Sequence, residues 1–195
     1  AYRRSRCVAA GLITVTLETG ATDRTCTFTV SSASSGTCNY TVQAGDTSSD
    51  LTVGSISGTL SDASSNVTTD FSPRTNLAAN KALVVDTTAP SAPSAFAASA
   101  SGSSVLLSWT NPVSDFASVT LRRGSASYPT AVSNGTGVLS GSVLSSTTDT
   151  SLADGTYYYS IFALDSTGNV SSAAQVSVLV DSTAPTLTLS STTLD

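Results

Sequence analysis

Residues 84–90 read Val-Val-Asp-Thr-Thr-Ala-Pro and residues 179–185 read Leu-Val-Asp-Ser-Thr-Ala-Pro, so almost the same phrase occurs twice, 95 residues apart. Each copy follows another shared phrase, at residues 60–67 and 164–170, in which an aspartate precedes an asparagine by four residues. That spacing predicts a tight hairpin closed by Asx hydrogen bonds to the backbone. The repeat predicts two modules in series, and proline makes the linker at residues 87–90 short and stiff.

The rest of the chain consists of short runs that alternate apolar and polar residues, a pattern typical of β-strands. The runs are residues 12–17, 26–30, 38–42, 51–56, 83–85, 105–109, 119–121, 157–164 and 175–180. Residues 26–30 and 38–42 flank a small polar connection and together predict a β-hairpin. Because no stretch keeps a 3.6-residue apolar period, the sequence predicts an all-β protein made of antiparallel sandwiches.

Composition excludes several classes of function. The chain has 195 residues, of which 11% are charged and 39% hydrophobic, and its formal net charge is −5. The absence of histidine excludes Ser-His-Asp catalysis and imidazole metal sites. The negative charge argues against nucleic-acid binding. The sequence contains no run of about 18 apolar residues, so it predicts no membrane span. We therefore expect that the protein is not an enzyme, that it has no nucleic-acid partner and that it does not span a membrane.

Residues 1–86 resemble the bacterial immunoglobulin-like repeats of large surface and secreted proteins. The resemblance lies in Leu-Glu-Thr-Gly-Ala at residues 17–21, in Tyr-Thr-Val-Gln-Ala-Gly-Asp at residues 40–46 and in the Asp-Thr-Thr-Ala-Pro ending. It implies an immunoglobulin-like sandwich in residues 1–86. The recognisable region opens only at about Leu12, so we expect this module to lack its first strand or strands.

Residues 91–181 resemble a fibronectin type III domain. The matching motifs are Pro-Ser-Ala-Pro at residues 90–93, Leu-Leu-Ser-Trp-Thr-Asn-Pro at 106–112 and Leu-Ala-Asp-Gly-Thr-Tyr at 152–157. The resemblance implies that Trp109 is the central core residue and that Tyr157 is a tyrosine-corner residue whose hydroxyl bonds back to the backbone. Alternate residues of the following strand then point inward (Tyr159, Ile161, Ala163) or outward (Tyr158, Phe162, Leu164).

Residues 182–195 hold the second linker and an alternating run, Thr-Leu-Thr-Leu at 186–189, that resembles the first strand of a following module. One hypothesis is that residues 186–194 pair with the incomplete module of another copy by strand addition. The simpler interpretation, which we favour, is that the sequence is cut from a longer chain.

Three cysteines and a few acidic residues are the candidates for a bridge or an ion site. Cys26 and Cys38 alternate in phase with apolar neighbours, so a disulfide between them is one interpretation, with Cys7 as a competing partner or free thiol and three buried thiols as the alternative. Asp86 and Asp181 stand beside the linkers, where bacterial repeat proteins sometimes hold calcium. No calcium-loop spacing is present, so we favour turn and cap hydrogen bonding, and we expect no cofactor.

These features favour a non-catalytic spacer in an extracellular bacterial surface or fibre protein, such as an adhesin-like stalk. Its partners are then neighbouring immunoglobulin-like modules or subunits of the same protein. One alternative is a module that binds a surface glycan or a protein through Tyr158 and Phe162. Another is an accessory segment of a secreted enzyme.

Overall fold

A computed structural model describes residues 9–33, 35–62, 64–72 and 75–188. The chain divides into two units, Ala1–Thr88 and Ala89–Asp195. The division falls between Thr88 and Ala89, within residues 87–90. Both units consist of antiparallel strands, and the one helix in the described residues is a single turn, so the expected all-β class of immunoglobulin-like sandwiches is confirmed.

Unit 1 is organised around one antiparallel sheet. Its elements are β1 (Ala9–Leu17), β2 (Arg24–Ala33), β3 (Thr47–Ser48), β4 (Val53–Gly58), β5 (Leu60–Ser61), β6 (Val67–Thr68), α1 (Leu77–Asn80) and β7 (Val85–Asp86). The strand order is β2-β1-β5-β6, and β4 also pairs with β1. The two-residue strands β3 and β7 pair with each other. Asn76 caps the N-terminus of α1, and its side chain accepts a hydrogen bond from the Leu77 amide.

The core of unit 1 is small. Leu17, Leu51 and Val85 form its buried cluster, and five half-buried side chains pack against them: Val15, Tyr40, Val53, Leu77 and Leu83. On the opposite face of the sheet, Thr25, Thr27 and Thr29 of β2 are exposed. The alternation predicted for residues 12–17 and 26–30 therefore identifies the correct inward side chains.

The predicted hairpin of residues 26–30 and 38–42 is wrong. β2 pairs with β1, in a register that sets Cys26 opposite Val15, and residues 38–42 belong to no strand. Alternation of apolar and polar residues shows which side chains face the core, but it does not show which strand is the hydrogen-bonded neighbour in the sheet. Cys38 and Tyr40 do face inward, each half-buried, although their backbone is not part of a sheet.

Unit 2 is a sandwich of two sheets. Its strands are β8 (Ser94–Ser101), β9 (Ser104–Thr110), β10 (Ser118–Gly124), β11 (Thr136–Ser142), β12 (Ser146–Asp149), β13 (Gly155–Leu164) and β14 (Ala174–Val180). One sheet has the order β12-β9-β8 and the other β11-β10-β13-β14. This three-plus-four arrangement of seven strands is the fibronectin type III-like topology.

The core between these sheets is dense. Nine residues form the buried cluster: Val105, Leu107, Trp109, Val119, Leu121, Leu152, Tyr159, Ile161 and Val180. β8 contributes smaller side chains to it, with Phe96, Ala98 and Ala100 packed at its margin. Unit 2 thus completes its sandwich, whereas unit 1 opposes its sheet mainly with short strands and irregular chain.

Candidate functional site

Trp109 and Tyr157 connect the core of unit 2 to two different loops. Trp109 is 5% exposed, packs edge-to-face against Phe96 with ring centroids 6.3 Å apart, and donates from Nε1 to Asn111 Oδ1 at 2.8 Å. The Asn111 amide in turn donates to the carbonyl of Val143. The Tyr157 hydroxyl donates to the Ala153 carbonyl at 3.1 Å, back across the turn that enters β13. Both aromatic residues tie the core to a loop.

Cys26 and Cys38 form a disulfide in unit 1, with their Cα atoms 5.8 Å apart. That separation lies in the usual range for protein disulfides. The bridge joins β2 to the irregular segment at residues 35–43, although the hairpin expected to hold the pair is not formed. Cys7 lies outside the described residues.

A buried carboxylate fixes the other end of this segment. Asp46 is 1% exposed and accepts hydrogen bonds from Arg24 Nε at 2.7 Å, from the Gln43 amide at 2.7 Å and from the Tyr40 hydroxyl. Burial alone would raise the pKa of Asp46, but the donors from Tyr40, Gln43 and Arg24 outweigh it and lower that pKa. Burial and the Asp46 carboxylate raise the pKa of Tyr40. The network holds Asp46 ionised and fixes Tyr40 against the core.

A second network links the two sheets of unit 2. Arg123 of β10 donates to both oxygens of Asp149 on β12, at 2.8 and 2.7 Å, and the Tyr159 hydroxyl donates to the same carboxylate at 3.0 Å. The Arg123 guanidinium also lies 5.4 Å from the centre of the Tyr157 ring. Burial, then the bond to Asp149, raises the pKa of Tyr159. The side chains of Arg123, Asp149 and Tyr159 therefore all take part in the contact that joins the two sheets.

We expect Asp149→Ala to lower the free energy of unfolding of unit 2 by about 2 kcal/mol, because it leaves a guanidinium and a fully buried tyrosine without their acceptor. Urea denaturation followed by circular dichroism measures the loss. Arg122→Ala is the matched control, since the neighbouring Arg122 donates only to exposed loop carbonyls of residues 133–135. Equal losses in the two variants would contradict the assigned role of Asp149.

The Asp-to-Asn phrases form the predicted Asx turns in both units. In unit 1 the Asp62 carboxylate accepts from the amides of Ser64 and Asn66, and in unit 2 Asp165 accepts from those of Thr167, Gly168 and Asn169. The asparagine side chain donates back to the aspartate in each turn, at 2.8 and 2.7 Å. The third residue after each aspartate has a positive φ, 63° at Ser65 and 95° at Gly168.

The two copies of the repeated phrase, residues 84–90 and 179–185, form the exit segments of units 1 and 2. Each exit segment is hydrogen-bonded to the unit that it leaves. In unit 1 the Thr87 hydroxyl donates to the Asp46 carbonyl at 3.0 Å and accepts from the Gly45 amide at 2.9 Å. In unit 2 Asp154 accepts from the amide and hydroxyl of Ser182, at 2.8 and 2.6 Å, and from the Thr183 hydroxyl. The two anchor loops contain the similar sequences Ala-Gly-Asp at residues 44–46 and Ala-Asp-Gly at residues 153–155.

The exit segments also share their own turn. The Asp86 carboxylate accepts from the Thr88 amide at 2.9 Å, and the Asp181 carboxylate accepts from the Thr183 amide at 3.1 Å. The repeated phrase thus has one local structure in both places, an Asx turn followed by Ala-Pro. Asp86 and Asp181 act there as hydrogen-bond acceptors, as expected for turn residues.

Two carboxylates of unit 2 make its stability sensitive to acid. Hydrogen bonds from Ser182 and Thr183 lower the pKa of Asp154 to about 2. Burial opposes ionisation at Asp165, but donors from Asn169, Thr167 and Gly168 bring its pKa to about 2 as well. Both values lie below the ordinary 3.8, so the unfolded chain binds protons first as the pH falls.

We therefore expect the Tm of unit 2 to be constant from pH 7 to about pH 5 and to fall progressively between about pH 5 and pH 2. Differential scanning calorimetry across this range measures the effect. In Asp154→Asn one titrating group is lost, so the decline should be shallower than in the parent chain. A Tm that falls instead between pH 7 and pH 5 would show that these two carboxylates do not govern it.

The outward aromatic residues of β13 do not form an exposed platform. Phe162 is 4% exposed, and Tyr158 is half-buried with its ring 5.1 Å from that of Tyr128 in an edge-to-face pair. The expectation of Tyr158 and Phe162 as a sugar-stacking surface is therefore wrong. The alternation along β13 correctly predicted which side chains share a face of the strand. It does not show that the side chains of the outward face are largely buried.

The loop between β10 and β11 forms a pocket of about 320 Å³. Tyr128, Pro129 and Asn134 are among its lining residues. Arg122 holds one side of this loop through the carbonyls of Asn134 and Gly135, each at 2.8 Å. The sequence gives no signal for this pocket, because the small polar residues of the loop resemble those of any connection.

No protein-family model and no curated protein matches this chain. Among solved structures, it is similar to the chicken CNTN1 FN1–FN3 domains (9% identity, 92% of this chain, 59% of that chain, TM-score 0.45). It is also similar to a two-domain fibronectin type III segment of chicken tenascin (15%, 88%, 84%, 0.41) and to the spore cortex lytic enzyme SleM of Clostridium perfringens (19%, 48%, 28%, 0.36). The chain thus spans just over half of the CNTN1 segment and about a quarter of SleM.

Likenesses at these identities and TM-scores give no basis for transferring a function. The fold assignment comes from strand order and register. In addition, none of the described residues belongs to a helix with the length and hydropathy needed to span a bilayer.

Proposed function

We propose that this chain is a non-catalytic structural segment of an extracellular bacterial surface or fibre protein, in which the modules act as a spacer. The observation that carries the proposal is the repeated exit segment. In both units it forms the same Asx turn and is bonded to a loop of its own unit, through Thr87 in unit 1 and through Asp154 in unit 2. A spacer needs such an exit, because a loosely attached linker would not transmit position or load.

The disulfide supports an extracellular location. Structural disulfides persist in oxidising compartments and are rare in the cytosol. The low charged fraction of 11% and the hydroxyl-rich outer strand face of unit 1 suit a surface that stays hydrated at variable salt. Its partners are then neighbouring modules or subunits of the same protein.

The carboxylates support a structural role rather than catalysis. Asp46, Asp149, Asp154 and Asp165 each accept several hydrogen bonds from neighbouring groups of the fold. A general acid or base must instead present its carboxyl group to a substrate within hydrogen-bond reach. These residues stabilise turns, exit segments and sheet contacts.

Single-molecule force spectroscopy tests the spacer function. With the chain tethered at both ends, we expect two separate unfolding events that require force. Reduction of the Cys26–Cys38 bridge should lengthen the unit 1 event by about 40 Å, since 12 residues are released at ~3.5 Å each. Extension without resistance would contradict the proposal, and antibodies that fail to label intact source cells would contradict the location.

A further inference from the structure

The connection between β10 and β11 is long for a hairpin. It spans residues 125–135, whereas hairpin loops in compact domains usually have roughly two to five residues. The pocket of about 320 Å³ lies in this connection, which we call the β10–β11 loop, and the loop's own residues and Gly124 line it. Binding residues are found on loops of this kind that a rigid scaffold positions, so the pocket is a candidate binding site.

The β10–β11 loop is held in one shape. The Arg122 guanidinium donates to the backbone carbonyls of residues 133–135, at 3.3, 2.8 and 2.8 Å. The backbone amide of Asn134 closes a turn on the Ala131 carbonyl at 3.0 Å. Gly135 has a φ of 69°, and an added Cβ there would lie 2.4 Å from a backbone oxygen of β10. Because the backbone is fixed before binding, little conformational entropy is lost when a ligand enters.

Tyr128 forms the aromatic part of the pocket wall. Its ring packs edge-to-face against Tyr158 of β13, with 5.1 Å between the ring centroids, and the next residue, Pro129, is buried. The Tyr128 side chain is half-buried, so part of its surface remains accessible in the pocket that it lines. A ring fixed by a second ring can contact the apolar C–H face of a sugar at a small cost in side-chain freedom.

The rest of the pocket wall offers hydrogen-bonding groups that the fold does not use. The Asn134 side chain accepts from the Thr130 hydroxyl through Oδ1 at 3.3 Å, and its Nδ2 has no partner among the described residues. The hydroxyls of Ser125, Ser127 and Tyr128 likewise have no partner in the described part of the chain. An amide nitrogen donates, and hydroxyl groups both donate and accept. This set matches a ligand that itself carries several hydroxyl groups.

Charge narrows the class of ligand. No charged residue is among the described residues that line the pocket. The guanidinium groups at the end of β10 are already occupied, that of Arg122 by loop carbonyls and that of Arg123 by Asp149. A phosphate, carboxylate or ammonium group would therefore lose water in the pocket without gaining a counter-charge. An uncharged ligand avoids this cost.

We propose that the pocket of the β10–β11 loop binds one uncharged sugar unit, with Tyr128 against its apolar face and Asn134 Nδ2 donating to one of its hydroxyl groups. The pocket volume of about 320 Å³ lies at the lower end of the range for small-ligand sites, which suits a single sugar ring. This inference goes beyond the proposed spacer function, because it gives unit 2 a ligand of its own.

NMR titration of the isotope-labelled full chain tests the inference, with the methyl glycosides of glucose, galactose, mannose and N-acetylglucosamine as probes. We expect at least one probe to shift the backbone amide signals of residues 124–135, with a dissociation constant of about 1 mM, as is usual for so small a ligand in an open pocket. The charged methyl glucuronide should bind more weakly than methyl glucoside. An array of glycans that end in the same sugar distinguishes the source, because retention identifies a glycan end and binding of the glycoside alone identifies a free sugar.

Three variants and one control assign the shifts to the pocket. Tyr128→Ala should weaken binding about tenfold, the factor that corresponds to 1.4 kcal/mol, and Asn134→Ala should weaken it by removing a donor. Ser127→Trp fills the pocket from an exposed loop position and should abolish binding. Ser133→Ala is the matched control and should bind as the parent chain does, since Ser133 is exposed in the same loop and contributes only its backbone carbonyl.

Four results would overturn the inference. No probe shifts residues 124–135 at concentrations well above the expected dissociation constant, Tyr128→Ala or Ser127→Trp binds as tightly as the parent chain, Ser133→Ala weakens binding as much as Asn134→Ala, or methyl glucuronide binds more tightly than methyl glucoside. The amide spectrum of each variant shows whether unit 2 is folded, and Ser127→Trp keeps the test decisive if Tyr128→Ala does not fold. The force experiment is independent, because resisted unfolding requires no ligand.

Discussion

Trp109→Ala is expected to lower the free energy of unfolding of unit 2 by about 3–5 kcal/mol, more than we expect for Asp149→Ala. The indole is nearly buried among the nine core residues, meets Phe96 edge-to-face and donates to Asn111. Its removal leaves a cavity, and Asn111 loses a partner that helps it hold the loop at Val143. Since Trp109 is the only tryptophan, far-ultraviolet circular dichroism in urea is the suitable measurement.

Two control variants test whether the loss comes from the buried ring. Trp109→Phe keeps an aromatic ring and should lose clearly less than Trp109→Ala, although it also removes the donor to Asn111. Leu106→Ala lies in the same strand with its side chain 53% exposed, and it should change stability by about 0.5 kcal/mol or less. A loss of similar size in Leu106→Ala and Trp109→Ala would contradict the assignment of Trp109 to the core.

Loss of the disulfide is expected to have the second largest effect, in unit 1. Replacing Cys26 and Cys38 with alanine should cost about 2–3 kcal/mol, because the bridge closes a loop with a sequence separation of 12 residues. Among the described residues, unit 1 has a smaller buried apolar core than unit 2 to offset this loss, so its Tm should fall markedly. Calorimetry measures the shift of the unit 1 transition.

The third cysteine provides the control for this experiment. Cys7→Ser should leave the unit 1 transition in place if Cys26 and Cys38 are paired. Peptide mapping without reduction should then recover one linked pair of peptides, containing Cys26 and Cys38. A linked peptide that contains Cys7, or an unchanged Tm in the double variant, would contradict the pairing.

Strands rich in β-branched and aromatic residues were predictable from the sequence. Residues 105–109 and 157–164 fall inside β9 and β13, and the inward positions Tyr159 and Ile161 are fully buried. β8 and β12 were not predicted, because Ala and Ser dominate the first and the second is only four residues long. Small side chains give a weak strand signal, and the neighbouring sheet supplies the pairing that the local sequence lacks.

The polar contacts were predictable only where they are local. The Asx turns at Asp62 and Asp165 follow from residues four apart in the sequence. The bridge from Arg123 to Asp149 joins residues 26 apart on different sheets, and no spacing rule indicates it. Arg122 and Arg123 are neighbours near the end of β10, where successive side chains point to opposite faces. The sequence does not reveal which acceptor each guanidinium meets.

The exit segments have a consequence for how such chains evolve and are engineered. Because the contacts of Thr87 and Ser182 are made with the unit that precedes them, each unit carries its own outgoing connector. Recombination that cuts after Thr88 or Thr183 would transfer a unit together with the hydrogen-bond partners of its connector. A cut directly after Val85 or Val180 would instead remove the threonine or serine that bonds to the anchoring loop of that unit. Domain shuffling is therefore least disruptive immediately before the Ala-Pro dipeptide.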